Sequence, residues 1–116
     1  MRSTRIAAGF LAVACAVAFS ATGAFAQGAD IYKKECAKCH GDAGAGDGAM
    51  GAKLKDKPSD WTKGGGGLKD LDDAKIAESI KKGGKGIGKS PAMPAYPKLS
   101  DDEVKALVAH VKSLKK

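Results

Sequence analysis

The chain has 116 residues, room for one domain, with 43% hydrophobic residues and a formal net charge of +7. Sixteen glycines and only 5% aromatic residues exclude a large, self-sufficient apolar core. At this length a single domain is expected within the sequence.

The N-terminus carries Arg2 and Arg5, an apolar run of 14 residues from Ile6 to Phe19, and Ala24-Phe25-Ala26 before Gln27. A basic start, a short apolar run and a small-x-small site together predict an export signal over 1–26, cleaved after Ala26. The run is shorter than the ~20 residues that span a bilayer. A retained anchor is the alternative, and Cys15 in "AVAC" loosely resembles a lipoprotein signal. The remaining domain, 27–116, has 90 residues, 18 lysines, no arginine and a charge of +5. Tyr32, Trp61 and Tyr96 are its only aromatic residues. Domains this small bury only ~60% of their unfolded surface, so a staple at the centre is expected.

Three helices are predicted in this domain. The first covers 30–40, "DIYKKECAKCH". The second covers 72–82, with Ile76 and Ile80 one turn apart, Asp at its start and Lys at its end, as the helix dipole favours. The third follows Ser100, which with Glu103 forms a capping box. Val104, Leu107, Val108, Val111 and Leu114 then share one stripe. No alternating strand pattern occurs, which makes the fold class all-α.

Long glycine-rich connections, 41–71 and 83–99, separate the helices, and such loops in a small domain are expected to wrap something. Two segments imitate nucleotide motifs. "GGKGIGKS", Gly83 to Ser90, matches a P-loop, but it follows a helix where a P-loop follows a strand. Pro91, Pro94 and Pro97 bar the helix that would have to come next. "GDGAMG", Gly46 to Gly51, spells a dinucleotide fingerprint without its strand or acidic partner, and reads as turns. Neither nucleotide nor nucleic acid is expected as a ligand.

Cys36-Ala37-Lys38-Cys39-His40 is C-x-x-C-H, the attachment sequence of c-type haem. Residues three apart on a helix share a face, so both thiols can reach the two vinyl groups of one haem. His40, next in the chain, can turn its imidazole to the iron. A Cys36–Cys39 disulfide, a thioredoxin-like site and a zinc site are the other uses of such cysteines. The thioredoxin-like site lacks its preceding strand. Zinc would need Cys36, Cys39, His40 and His110 as its full set of four ligands.

With "CAKCHGDAGAGDG", "PAMPAYP" some fifty residues later, and the closing "LSDDEVKALVAHVKSLKK", the chain resembles the small monohaem class I c-type cytochromes. The resemblance covers nearly all of 27–116. It implies terminal helices packed crosswise, with a third helix and glycine-rich loops around one covalently attached haem c. It assigns Met93 as the iron ligand opposite His40, with Met50 as the rival. It gives the Pro58 carbonyl as acceptor of the His40 Nδ1 hydrogen, and lets Trp61 cover the haem or reach a propionate. His110 stands where the family has an aromatic ring, which places it at the crossing of the terminal helices.

An iron ligated by His and Met has no open position, so the expected function is a soluble electron carrier cycling Fe(II)/Fe(III) outside the cytoplasm. The alternative is a catalytic or gas-sensing haem protein whose distal ligand is displaceable. The expected compartment is the bacterial periplasm, with the thylakoid lumen as the other destination. Redox partner proteins with acidic docking surfaces are expected, since 79–100 holds Lys81, Lys82, Lys85, Lys89 and Lys98 but no acid. The chain itself is expected to be monomeric and not an enzyme.

Overall fold

A computed structural model describes Gly9 and residues 21–116. The export signal expected over 1–26 therefore lies largely outside the described residues, although Ala21 to Ala26 belong to the first helix. Among the described residues every regular element is helical, as the all-α reading required. No helix among them is long and apolar enough to cross a membrane.

Helix α1, Ala21–Ile31, continues into a π-helical turn, Tyr32–Cys36, and a last turn α2, Ala37–His40. The helix begins well before Asp30, where the sequence placed its start. Packing is the reason: at Gly28 a Cβ would strike the carbonyl oxygen of Ala106 on the last helix. The two backbones touch there, and that contact steadies a stretch whose alanines favour a helix but whose Gly23 and Gly28 weaken it. The π-turn, which ends on Cys36, widens the coil between the part that packs on α4 and the last turn that carries Cys39 and His40.

Helix α3 spans Asp73–Gly86 and is capped by Asp72, whose side chain accepts from the Lys75 amide at 2.8 Å. It bends sharply at Gly83 (φ 71°, ψ 177°) and adds one turn beyond the predicted end at Lys82. Helix α4, Asp101–Leu114, starts with the expected capping box. Ser100 Oγ accepts from the Glu103 amide at 3.1 Å, and Glu103 Oε1 accepts from the Ser100 amide at 3.0 Å. Four of the five predicted stripe residues are buried, and Leu114 at the end is half-buried. Helix α4 crosses α1, with the ring of His110 tilted on that of Tyr32 at 4.9 Å.

The loop after α2 folds straight back on it. Gly46 N donates to His40 O (2.7 Å), Gly48 N to Cys39 O (3.2 Å) and Met50 N to Lys38 O (2.9 Å). The segment that imitates a dinucleotide fingerprint thus satisfies the orphan carbonyls of a helix end. Further on, Trp61 is tied to the C-terminus, its carbonyl accepting from the Lys116 amide at 3.0 Å.

Candidate functional site

A cavity of 370 Å³ lies between the end of α2, helix α3 and the two glycine-rich loops. That volume is in the range of small-molecule sites. The helix contributes Cys36, Cys39 and His40; the first loop contributes Pro58 and Trp61; the second contributes Met93. All six residues singled out from the sequence therefore meet at one place. Leu68, Ile76, Ile80 and Leu107 give it an apolar wall. Met50 does not line it and is 56% exposed, and His110 lies away from it against Tyr32.

The two cysteines are free and half-buried. Burial, and then the neighbouring Glu35 carboxylate, push the Cys36 thiol up to about 11. His40 stacks on Trp61, with ring centroids 4.6 Å apart and planes 25° apart. Burial lowers its pKa, which favours the neutral imidazole that ligates metals.

His40 Nδ1 is buried with no hydrogen-bond partner among the described residues. The bond expected from it to the Pro58 carbonyl is not made. That carbonyl is packed instead against Gly46, where a Cβ would collide with it. Pro58 keeps its place on the cavity wall without accepting from the imidazole. Trp61, expected to cover the haem or reach a propionate, is buried with its face on His40.

Met93 is held through backbone. The Gly84 amide donates to the Met93 carbonyl at 3.0 Å, and the Lys89 amide to the Gly84 carbonyl at 2.7 Å. Gly83 lies so close that a Cβ would sit 2.8 Å from the Met93 oxygen and the Ala95 nitrogen. The leading pair of these glycines grips the loop that presents Met93, and Gly84 also lines the cavity. Lys89 and Ser90, the end of the P-loop imitation, sit on the cavity rim.

Two residues on the wall escaped the sequence reading. Tyr32 donates its hydroxyl to the Gly41 carbonyl at 2.6 Å, and Tyr96 donates to the Glu35 carbonyl at 3.1 Å. The available signal for Tyr32 was its position one turn before Cys36, on the same helix face. The lysine block is partly neutralised. Lys81 pairs with Asp101 at 2.5 Å and Lys82 with Glu78 at 3.0 Å, both acids lying just outside the block. Lys85, Lys89 and Lys98 remain exposed and make no ion pair among the described residues.

Two thiols on one helix face, a neutral imidazole beside them, and a thioether across apolar walls fit a covalently held haem. The buried Nδ1 of the half-buried His40, unpartnered among the described residues, supports the same fit, because such an atom is costly unless the ring is engaged. A zinc cluster does not form: among the described residues no three of His, Cys, Asp or Glu gather as metal ligands.

The profile of the family described as cytochrome c oxidase, cbb3-type, subunit III matches residues 23–111. The chain is 38% identical over 95 residues to the cbb3-type cytochrome c oxidase subunit FixP of Azorhizobium caulinodans, covering 80% of this chain and 28% of the relative. It is 36% identical over 91 residues to the FixP of Bradyrhizobium diazoefficiens, covering 77% and 27%. With the cbb3-type oxidase subunit CcoP of an Azospirillum species it shares 33% over 99 residues, covering 79% and 29%. The chain thus spans less than a third of the length of these curated relatives. No solved structure matches it.

Proposed function

The chain belongs to the cytochrome c oxidase cbb3-type subunit III family, a class I c-type cytochrome domain, and we propose that it acts as a soluble, exported monohaem carrier with His40 and Met93 as axial ligands. Electron transfer through covalent haem c comes with the family, as does a role as carrier component and not as catalytic subunit. The observation that carries the proposal is the single cavity that gathers Cys36, Cys39, His40 and Met93.

In this reading Cys36 and Cys39 hold one haem per chain through thioethers. When bound, that group supplies a one-electron iron couple, which a Met ligand raises in potential relative to a second His. The protein supplies everything else. Burial keeps His40 neutral, and the Trp61 face limits rotation of its ring. Gly83 and Gly84 fix the backbone of Met93 from one side, and Pro91 and Pro94 stiffen it along the chain. The apolar wall excludes water and keeps the local dielectric low. With both faces taken, no position is left for a small molecule, and none of the relatives favours a catalytic or gas-sensing role.

Cleavage after Ala26 would leave Gly28, the crossing contact of α1, inside the mature domain 27–116. The bacterial periplasm agrees with the relatives, which are all bacterial; the thylakoid lumen finds no support among them. Those relatives are named as oxidase subunits, so the partner we propose is a redox protein of a respiratory oxidase assembly. Lys85, Lys89 and Lys98 are the residues that would meet an acidic surface on it. Optical spectra of the purified protein in both redox states, with and without carbon monoxide, test the proposal. His/Met spectra unaffected by carbon monoxide are expected; rapid, tight binding to the ferrous protein would overturn the closed site.

A further inference from the structure

The backbone that leaves His40 is held in three places, two on the His40–Gly41 peptide and one on the next. Gly41 N donates to Ala37 O at 2.9 Å, continuing the helix, and His40 O accepts from Gly46 N at 2.7 Å. The third hold is a side chain: Tyr32 donates its hydroxyl to the Gly41 carbonyl at 2.6 Å, inside the protein. Tyr32 is 2% exposed, and its ring is wedged between His110 at 4.9 Å and Trp61 at 6.4 Å. The neighbour Trp61 is also the ring that stacks on the His40 imidazole.

A phenylalanine would fill the same space between those rings. The hydroxyl is therefore not needed for packing, and its burial is tolerated because it is hydrogen-bonded. What it adds is a fixed point immediately after the residue whose ring orientation matters. With Nδ1 lacking a partner among the described residues, no hydrogen bond from that nitrogen sets the plane of the His40 ring. Orientation must then come from its backbone and from Trp61.

We propose that Tyr32 is a positioning residue for the axial imidazole: its hydroxyl, by anchoring the Gly41 carbonyl, sets the angle of the His40 ring about the iron–nitrogen axis. This rests on His40 being an iron ligand, and the wild-type spectrum tests that separately. If the wild type shows no histidine ligation, the site assignment fails before Tyr32 is altered.

The test compares ferric electron paramagnetic resonance and the pattern of paramagnetically shifted haem methyl signals in holoprotein variants, since both report the ligand plane. Tyr32→Phe should change the g anisotropy and the spread of the methyl shifts while His/Met ligation persists. His110→Phe touches the same ring without removing the hydroxyl and should leave both unchanged. Replacing Tyr32 with p-aminophenylalanine restores a donor and should restore the native pattern, a comparison that stands even if Tyr32→Phe assembles poorly. An unchanged pattern in Tyr32→Phe, an equal change in His110→Phe, or no recovery with the amino analogue would each overturn the proposal.

Discussion

Replacing Gly83 with alanine separates two costs that glycine avoids. Its φ of 71° with ψ of 177° belongs to a region open almost only to glycine, and a side chain there costs about 1–3 kcal/mol. The added Cβ would also lie 2.8 Å from the Met93 oxygen and the Ala95 nitrogen, and 2.9 Å from the Pro94 carbonyl carbon. Those are backbone atoms, so relief requires the Met93 loop to move, an overpacking cost of a further ~1–3 kcal/mol. Gly88 is the control. Its φ of 73° is similar, but a Cβ there meets nothing within 4 Å. Gly88→Ala should cost only the backbone term, ~1–2 kcal/mol. Gly83→Ala should cost about 3 kcal/mol or more by denaturant unfolding, a large part of the ~5–15 kcal/mol of a whole domain. Its ferric spectrum should also show weakened methionine ligation, whereas that of Gly88→Ala should not. Equal stability losses with methionine ligation intact in both would refute the clamp.

Met93→Ala should keep haem attached through Cys36 and Cys39, admit cyanide or carbon monoxide, and lower the reduction potential, all readable by titration and voltammetry. Lys89→Gln and Lys85→Gln should slow electron transfer to an acidic partner several-fold at low salt. Lys81→Gln, whose charge already faces Asp101, should change it little, and a rate flat across ionic strength would remove steering altogether. His110 is half-buried and its pKa is lowered by burial, so the unfolded chain binds its proton more readily than the fold does. Stability should therefore fall as pH drops below about 6.5, and His110→Phe should flatten that slope between pH 7 and 5.5 in urea titrations.

The site was more legible in the sequence than the means of holding it. Cys36, Cys39 and His40 lie within five residues and carry their chemistry in their side chains, so spacing suffices to single them out as candidates. The capping box at Ser100 and the stripe on α4 are likewise local patterns, and both stand in the structure. The start of α1 was misjudged because Gly28 is helical for a tertiary reason, the backbone of α4 at Ala106. The Pro58 bond depended on where a loop carbonyl points, and that direction is set by the approach of Gly46, twelve residues away. The lysine block looked uniformly positive because Glu78 and Asp101 lie one residue beyond its two ends. Tyr32 shows the same limit: its packing is foreseeable from helix phase, but not that its hydroxyl meets Gly41.

Fold and cofactor also depend on one another energetically. The buried apolar core includes Leu68, Ile76, Ile80 and Leu107, and each of these also faces the cavity. Leaving 370 Å³ unfilled would, at ~24 cal/mol per Å³, cost about 9 kcal/mol. Water entering the open mouth lowers that figure, so it is an upper bound, yet it matches the ~5–15 kcal/mol available to the whole domain. The double variant Cys36→Ala, Cys39→Ala, purified free of haem, should therefore lose cooperative unfolding and the fixed environment of Trp61. Helix α4, with its local capping box, should keep part of its helicity. Circular dichroism in the far and near ultraviolet measures both. A haem-free variant that unfolds in one sharp transition with native near-ultraviolet signal would show that the side chains alone close the core.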